Sequence, residues 1–468
     1  MHSNKKNQVI GLNFLLILLC NVSFAQKNSS HFKSEMDFGG GTVFSTFFDV
    51  TIAKGQFAIT SPKDADVRIY GGKAKLGRML GKSPKKGIIM TINGQQKNDS
   101  LVGNTNIPMI GKLTFKGILQ NNTLSGIFIN TDGIAIGKLN GIRSIESKID
   151  YNYLYPMMLK TVQDNIYSTS VLQTKEWKAF EKDIKKVCAT AQDDIELYFG
   201  FNILAHKLPF THLSLMIAQD SVEDEETPVT QKKEGRKEEL FNSQKSVVLE
   251  EKNTTTAYLQ IKNFSNSTAE LASTLPKIVE NKSFKNLIID LRDNGGGGIS
   301  AAFALAKHIV SEDLEVGYFP TNKLQYSGYQ PELFASLPEF QPKDTEEFGN
   351  ELKVSPGVKL IFKKPSNPVF SGNIYVLTNS KTGSTCEPIV YALKNTKKAI
   401  IIGEKTYGGM LAASPFVVFG KYMLMLPIAD FYTYDGVRLD RVGVTPDIEV
   451  KSDDALNKAL EIIDSSKN

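Results

Sequence analysis

A short apolar run that leads into four glycines is the strongest structural signal in this sequence. Leu287-Ile288-Ile289-Asp290-Leu291 continues into Arg292-Asp293-Asn294 and then into Gly295–Gly298, and a helical pattern follows from Ile299 to Val310. Short, nearly continuous apolar runs are typical of strands that are buried on both faces of a sheet. The segment therefore predicts a strand, a glycine loop and a helix, which is the repeating unit of α/β folds.

The same alternation recurs on both sides of this unit. It predicts further strands at Ala257–Ile261, Ile374–Leu377 and Ala399–Ile402, and further helices at Thr268–Asn281 and Glu387–Lys394. Strand–helix–strand repeats build parallel pairings. We therefore predict an α/β core over residues 257–455 with a mostly parallel sheet, followed by a C-terminal tail at 456–468.

The N-terminal part has a different pattern, in which apolar residues alternate. Leu113 to Leu119 alternates, Asn121-Asn122 offers a turn, and Leu124 to Phe128 alternates again, as expected for a hairpin. Residues 26–145 therefore predict an all-β accessory domain, a barrel or a sandwich. Apolar positions then recur at helical spacing in a helical segment, 146–215. A charged linker, 216–256, follows it and is too short for an inserted peptide-binding domain.

Residues 1–25 predict an export signal. Lys5 and Lys6 precede an apolar run from Leu12 to Cys20, and Ser23-Phe24-Ala25 places small residues at a cleavage site. The apolar run is shorter than the ~20 residues of a membrane span. A lipid anchor on Cys20 is the alternative, although Leu19 stands where such a signal has a small residue. The protein is therefore expected to be periplasmic, at the cell surface or secreted.

Charge and cysteine content exclude several function classes. A net charge of +5 over 468 residues requires neither nucleic acid nor an anionic membrane as partner. After signal cleavage two cysteines remain, Cys188 and Cys386, which form neither a disulfide framework nor a zinc pattern. We interpret them as isolated buried thiols. No cluster of metal-ligand residues is visible, so no metal or cofactor is expected.

Three segments contain candidate chemical groups, and each has a plainer interpretation. The glycine run Gly295–Gly298 could present backbone N–H groups to a ligand, or it could be only a tight turn. Ser384 lies between a predicted strand and a predicted helix and could be a nucleophile, but Ser384-x-x-Glu387 is also a helix capping box. His212, in Phe210-Thr211-His212-Leu213, could be a base or a packed side chain, and His206 is its competitor.

Taken together, these segments resemble the tail-specific, or C-terminal processing, serine peptidases and their tricorn-like relatives. The resemblance covers roughly residues 150–452. The matched elements are Asp290 to Gly297 (Asp-x-Arg-x-Asn-x-Gly-Gly), Asn379 to Glu387 (Asn-x-x-x-Ser/Thr-Ala/Gly-Ser-x-x-Glu), Gly403 to Gly408 (Gly-Glu-x-Thr-x-Gly) and Gly443 to Ile448 (Gly-Val-x-Pro-Asp-Ile).

The resemblance implies a role for each matched residue. Ser384 corresponds to the nucleophile. The N–H group of Thr385 and one of those in Gly295, Gly296 and Gly297 correspond to the oxyanion hole. The processing peptidases use a Lys base, but Gly409 stands at that place here. The tricorn-like branch instead uses a His that follows a small hydroxyl residue, together with an acid just before the closing Gly-Val element. These three places are occupied here by His212, Thr211 and Asp440.

Two positions depart from the resembled pattern. Thr211 stands where family members commonly carry Ser, and Asp440 stands where they commonly carry Glu. Because Asp440 is one methylene shorter, the resemblance leaves its reach open.

The resemblance implies an exported serine peptidase that hydrolyses peptide or protein substrates by acyl-enzyme chemistry. An extended substrate could bind by strand addition. A noncatalytic peptide- or lipid-binding protein on the same scaffold is the alternative, because a fold does not determine a function. A surface adhesin led by the β-domain is a third possibility.

Overall fold

The computed structural model describes residues 29–39, 42–61, 90–107, 111–218 and 245–466. The chain divides into two compact units. Among the described residues, the first comprises those within 29–153, 185–203 and 217–218, and the second comprises those within 154–184, 204–216 and 245–466. The predicted signal at 1–25 and most of the charged linker lie outside the described residues. Within the described ranges, no helix combines the length and apolar character needed to cross a bilayer.

The first unit contains a closed antiparallel barrel of eight strands. They are β1 (Ser29–Asp37), β2 (Val43–Ala53), β3 (Gln56–Thr60), β4 (Thr91–Lys97), β5 (Ser100–Ile107), β6 (Gly111–Gln120), β7 (Thr123–Ile129) and β8 (Ala135–Arg143). Pairing of β1 with β8, from Phe32 opposite Arg143 to Asp37 opposite Lys138, closes the ring. The predicted all-β domain is confirmed, and of the two predicted architectures it is the barrel.

Alternation along the strands explains the core of the barrel. Each strand turns every second side chain inward, so rings such as Phe32, Phe48, Phe115 and Phe128 are fully buried. The predicted hairpin is β6 and β7, and Asn121 at its turn has a φ of 46°, a left-handed conformation that Asn tolerates better than most residues.

Three helices follow the barrel: α1 (Leu154–Asn165), α2 (Lys175–Thr190) and α3 (Asp194–Ala205), with a 3₁₀ turn at Thr169–Gln173. The predicted apolar faces are buried for the most part, including Leu154, Met158, Trp177 and Ile184. Met157, which the helical spacing had included, is exposed.

The second unit is built around a six-stranded sheet in the order β10-β11-β12-β16-β17-β21. Its strands are β10 (Val247–Asn253), β11 (Thr256–Ile261), β12 (Asn286–Asp290), β16 (Asn373–Thr378), β17 (Ile400–Gly403) and β21 (Ile448–Glu449). Four neighbouring pairs are parallel, and β10 with β11 is antiparallel. Strand β10 falls within the segment that the sequence predicted to be a linker.

Two smaller sheets belong to the same region. One has the order β14-β15-β13-β20, with β13 (Leu314–Pro320), β14 (Glu339–Phe340), β15 (Gly357–Phe362) and β20 (Tyr432–Thr433). The other has the order β18-β19-β9, with β9 (Ser214–Ile217), β18 (Ala412–Phe419) and β19 (Tyr422–Ala429). Antiparallel pairings dominate where registers are defined. The fold is therefore mixed α/β, and the expectation of mostly parallel pairing holds only inside the main sheet.

The remaining helices are α4 (Thr268–Glu280), α5 (Ile299–Ile309), α6 (Pro331–Ala335), α7 (Thr345–Val354), α8 (Cys386–Asn395) and α9 (Ala455–Ser465), with a 3₁₀ turn at Ser452–Asp454. Helix α9 occupies most of the segment assigned to a C-terminal tail. Its Ala455, Ala459 and Ile463 are buried in a cluster with Ile288 and Tyr375 of the sheet, so this segment is part of the folded core.

Candidate active site

Ser384 lies in the loop between strand β16 and helix α8. Its φ is 53°, a left-handed conformation that is uncommon for any residue other than glycine. Gly296 lies against it: a Cβ atom added at Gly296 would be 2.6 Å from the Ser384 Cβ. The glycine loop after β12 thus gives Ser384 room that no other residue type at position 296 would leave.

The Ser384 hydroxyl is not used as a helix cap. Thr385 is the N-cap residue of α8, and no side chain caps the helix there. The Ser384 N–H instead donates to Glu387 Oε2 at 3.1 Å. Of the two hydrogen bonds of a capping box, only the one accepted by the Glu387 side chain is therefore present. The Ser384 hydroxyl lies 3.4 Å from His212 Nε2.

A chain of short contacts connects His212 to a carboxylate. His212 Nδ1 is 2.7 Å from Thr211 Oγ1, and that hydroxyl donates to Asp440 Oδ1 at 2.5 Å. The Thr211 N–H also donates to Asp440 Oδ2, at 3.2 Å. The shorter Asp440 side chain therefore reaches Thr211, the point that its departure from the resembled pattern had left open.

These contacts determine the tautomer of the His212 imidazole. An ionised carboxylate only accepts, so the single hydroxyl proton of Thr211 goes to Asp440. Thr211 Oγ1 then accepts from His212, which places the ring proton on Nδ1. The lone pair of Nε2 consequently faces Ser384, the arrangement that a base needs.

Burial keeps His212 neutral. It lowers the pKa of the imidazole below its ordinary value of 6.5; the negative charge of Asp440 acts in the opposite direction and the positive charge of Arg441 acts with burial. At neutral pH the ring is therefore uncharged and able to accept a proton.

Glu387 links the Ser384 loop to the segment after strand β17. It is buried, and besides Ser384 N–H it accepts from Thr406 Oγ1 at 2.5 Å, Gly408 N at 2.7 Å and Gly409 N at 2.9 Å. Burial raises the pKa of this carboxyl, and the four donors oppose the rise.

The predicted oxyanion donors differ in availability. The Gly296 N–H donates to Asn294 Oδ1 at 2.9 Å, so it is already used. The Thr385 N atom lies on the Gly296 side of the loop, 3.0 Å from where a Cβ at position 296 would be. Thr385, Gly295 and Gly297 thus remain as candidates from the predicted set.

The other residues considered as the base make no contact with Ser384 that the structure shows. His206 and Lys405 are exposed, and position 409, where the processing peptidases carry Lys, is a buried glycine. A Cβ atom there would be 2.7 Å from the Tyr407 ring and 3.9 Å from His212 Cε1. The position of the missing Lys is therefore beside the imidazole of His212.

An ion pair behind Asp440, between the partly buried Arg438 and the buried Asp430, was not predicted from the sequence. Arg438 Nε donates to both oxygens of Asp430 at 2.9 Å, and its Nη2 atom is 3.6 Å from Asp440 Oδ2 and 3.3 Å from the Tyr167 hydroxyl. Burial raises the pKa of Asp430, and Arg438 opposes the rise. The only signal in the sequence is the close spacing of Arg438 and Asp440.

One protein-family model matches a segment of the second unit. The model of "Peptidase family S41" matches residues 255–450. Over these residues the chain is similar to that family. This confirms the recognition of a tail-specific peptidase, and the S41 segment contains Ser384 and Asp440, whereas Thr211 and His212 precede it.

Curated relatives of the S41 segment are processing peptidases. The chloroplastic C-terminal processing peptidase of Tetradesmus obliquus is 24% identical over 194 residues, which are 41% of this chain and 34% of that protein. The carboxyl-terminal-processing protease of Picosynechococcus is 22% identical over 201 residues, 42% and 40% of the two chains. The chain thus spans between a third and two fifths of the length of these relatives.

Solved structures similar to this chain include a lipoprotein from Streptococcus agalactiae, with a TM-score of 0.44 and 16% identity over 68% of this chain and 97% of that one. Tricorn protease has a TM-score of 0.41 and 12% identity, over 90% and 46% of the two chains. Both scores are below 0.5, so neither likeness supports a conclusion about function.

Two further residue sets bear on cofactors and redox chemistry. In the part of the chain that the structure describes, no group of three or more His, Cys, Asp or Glu side chains could hold a metal ion. Cys188 and Cys386 are buried free thiols, as predicted, and burial raises the pKa of Cys188 to about 12.

Proposed function

We propose that this protein is a serine peptidase in which Ser384 is the nucleophile and His212 is the base. The observation that carries the proposal is the continuous contact chain from Ser384 through His212 and Thr211 to Asp440. A hydroxyl is a poor nucleophile near neutral pH and needs a base within hydrogen-bond reach. A helix cap or a packed histidine would not require this chain.

In the acylation step, Ser384 Oγ attacks the carbonyl carbon of a peptide bond while its proton passes to His212 Nε2. The developing oxyanion accepts hydrogen bonds from the Thr385 N–H and from Gly295 or Gly297. When the C–N bond breaks, His212 delivers the proton to the leaving amine, and the acyl group remains as an ester on Ser384.

Deacylation repeats these roles with water. His212 takes a proton from water, the hydroxide attacks the ester, and Ser384 Oγ recovers the proton as the new carboxyl group leaves. Thr211 and Asp440 hold the proton on Nδ1 throughout and stabilise the imidazolium that forms in both steps.

The proposal extends to the substrate and to the location, the latter from the sequence pattern of residues 1–25. We infer a peptide or protein substrate, held in extended form across the Ser384 loop. We also infer export of the mature chain after removal of residues 1–25, with residues 26–145 as an accessory domain and residues 257–455 as the peptidase core.

A serine-directed fluorophosphonate tests the nucleophile directly. The purified protein should be labelled on Ser384, as located by peptide mass spectrometry, and should hydrolyse fluorogenic peptides. Ser384→Ala should lose both reactions while keeping its thermal unfolding temperature within a few degrees, since Ser384 does not cap helix α8. Ser380→Ala, an exposed serine in the same loop, is the matched control.

Two results would contradict the proposal. Hydrolysis or labelling that persists in Ser384→Ala would exclude this nucleophile. A folded wild-type protein that is never labelled would favour the noncatalytic binding protein on the same scaffold.

A further inference from the structure

The segment that bears His212 connects helix α3, which ends at Ala205, to strand β9, which begins at Ser214. His212 has a φ of 65°. Left-handed conformations of this kind carry backbone strain and persist only where the surroundings hold them in place. Something outside the segment must therefore restrain residues 206–212.

Arg441 contacts this segment at three backbone carbonyls. Its Nη2 atom donates to the carbonyl oxygens of His206 at 3.3 Å, Leu208 at 2.8 Å and Phe210 at 2.9 Å. These carbonyls follow the end of the helix and have no partner within it, so the guanidinium supplies the donors that they lack.

Arg441 is itself held in place. Its φ is 63°, and its backbone N–H donates to the Gly408 carbonyl at 2.6 Å. Gly408 in turn is bound through its N–H to Glu387. Since Glu387 also binds the Ser384 N–H, a short series of contacts connects Arg441 to the backbone of the nucleophile.

Two consecutive residues therefore restrain one loop. Asp440 binds Thr211 through its carboxylate, and Arg441 binds the three carbonyls that precede Thr211 in alternate positions. Phe210, whose carbonyl is the last of the three, is buried and its ring lies edge-on to Tyr167, with ring centroids 5.8 Å apart. Packing thus restrains the loop on one side and Arg441 restrains its backbone.

We propose that Arg441 is a positioning residue that holds the loop 206–212 so that His212 Nε2 faces Ser384. The inference rests on the proposed function for the role of His212 in catalysis, but the effect of Arg441 on the His212 ring can be measured without catalysis. Arg441 touches neither reacting atom, and its effect is exerted through the loop backbone.

The charge of Arg441 gives the proposal a second readout. The charged groups that act on the His212 ring are Asp440, which raises its pKa, and Arg441, which lowers it. Arg438 and Asp430 lie behind Asp440, and Glu387 lies beyond Gly409. Removal of the Arg441 charge should therefore move the pKa of His212 upward.

The test compares Arg441→Met, which keeps much of the side-chain length without donors or charge, with Arg441→Lys, which keeps the charge and donors on a shorter side chain. Arg143→Met is the control for the same substitution at an exposed position of the barrel. Each variant is first checked for thermal unfolding, and kcat and KM are then measured from pH 5 to 9 on one fluorogenic peptide (the range spans the ordinary His pKa of about 6.5).

Arg441→Met should lose on the order of 10²-fold in kcat, because small displacements of a catalytic group have effects of this size, with KM changed little. In its plot of kcat against pH, the rise on the acid side should move to higher pH. Arg441→Lys should recover most of the rate, and its kcat should rise at the same pH as in the wild type. Arg143→Met should behave as wild type. A folded Arg441→Met with wild-type kcat and an unmoved rise would overturn the proposal.

Titration of ¹³Cε1-labelled histidine by NMR separates this inference from the proposed function. The chain has five His, and the signal missing in His212→Gln assigns the ring. If the wild type hydrolyses no peptide but the His212 titration moves upward in Arg441→Met and not in Arg441→Lys, the peptidase proposal fails, whereas the electrostatic effect of Arg441 on the His212 ring, which the positioning requires, stands. Coincident titrations in wild type and Arg441→Met would refute the positioning.

Discussion

The hydroxyl of Thr211 should be essential to the rate although it touches no substrate atom. It accepts from His212 Nδ1 at 2.7 Å and donates to Asp440 Oδ1 at 2.5 Å. Thr211→Val keeps the branched shape and removes both hydrogen bonds. Thr211→Ser, which restores the residue common in the resembled family, keeps both.

The expected loss can be calculated from these two contacts. Hydrogen bonds to charged groups contribute about 1.5–3 kcal/mol each. The contact with Asp440 is charge-assisted from the start, and the contact with His212 becomes so when the ring accepts the Ser384 proton. Because only the contact that strengthens in the transition state lowers kcat when it is removed, a loss of about 1.5–3 kcal/mol is expected, which corresponds to about 10–10²-fold in kcat.

The effect on stability should be much smaller. After the substitution Asp440 still accepts from Thr211 N at 3.2 Å and Met410 N at 3.2 Å, and Arg438 remains 3.6 Å away. Because the carboxylate keeps these partners, we expect the unfolding free energy to fall by about 1–2 kcal/mol. That corresponds to a decrease of about 2–8 °C in Tm for a domain of this size.

The assay is the initial rate on a fluorogenic peptide, with the active enzyme counted by fluorophosphonate titration. We expect Thr211→Val to be folded and slow and Thr211→Ser to be close to wild type. If Thr211→Val keeps kcat within about threefold of wild type, the hydroxyl does not take part in the relay. If Thr211→Ser is as slow as Thr211→Val, the shape of the side chain matters and the hydroxyl argument is wrong.

Two other predictions concern the base. Because burial lowers the pKa of His212 below 6.5 and only the neutral ring accepts a proton, kcat/KM should rise with pH through an inflection below that value; an inflection above it would contradict a neutral buried His. His212→Ala should lose several powers of ten in kcat, whereas His206→Ala and Lys405→Ala should keep wild-type rates because both side chains are exposed. Loss of activity in Lys405→Ala alone would instead indicate a Lys base.

Local patterns in the sequence were sufficient for the secondary structure around the site. Strand β12 was predicted at Leu287–Leu291 and lies at Asn286–Asp290, and helix α8 was predicted at Glu387–Lys394 and lies at Cys386–Asn395. These elements are determined by the residues within them, because burial on both faces requires apolar runs and helices require apolar spacing. The pairing of the two small sheets joins distant segments and was not predicted.

The sequence also nominated Ser384, His212, Thr211 and Asp440 through a motif resemblance, but it did not place them together. Thr211 and Asp440 are 229 positions apart along the chain, and only the packing of the second unit decides that their side chains meet. The same holds for Arg441, whose three acceptors are carbonyls that any sequence would supply. Contacts to the backbone leave little trace in residue types.

Ser384 shows most clearly which properties depend on the local sequence and which depend on the tertiary structure. Its sequence context allows both a helix cap and a nucleophile, because a hydroxyl at the start of a helix can turn toward the helix N–H groups or away from them. The choice depends on a φ of 53°, on Gly296 leaving space beside it, and on Glu387 accepting the Ser384 N–H. The sequence by itself determined the strand, the loop and the helix; the tertiary structure decided which way the hydroxyl faces, because that depends on neighbours from other parts of the chain.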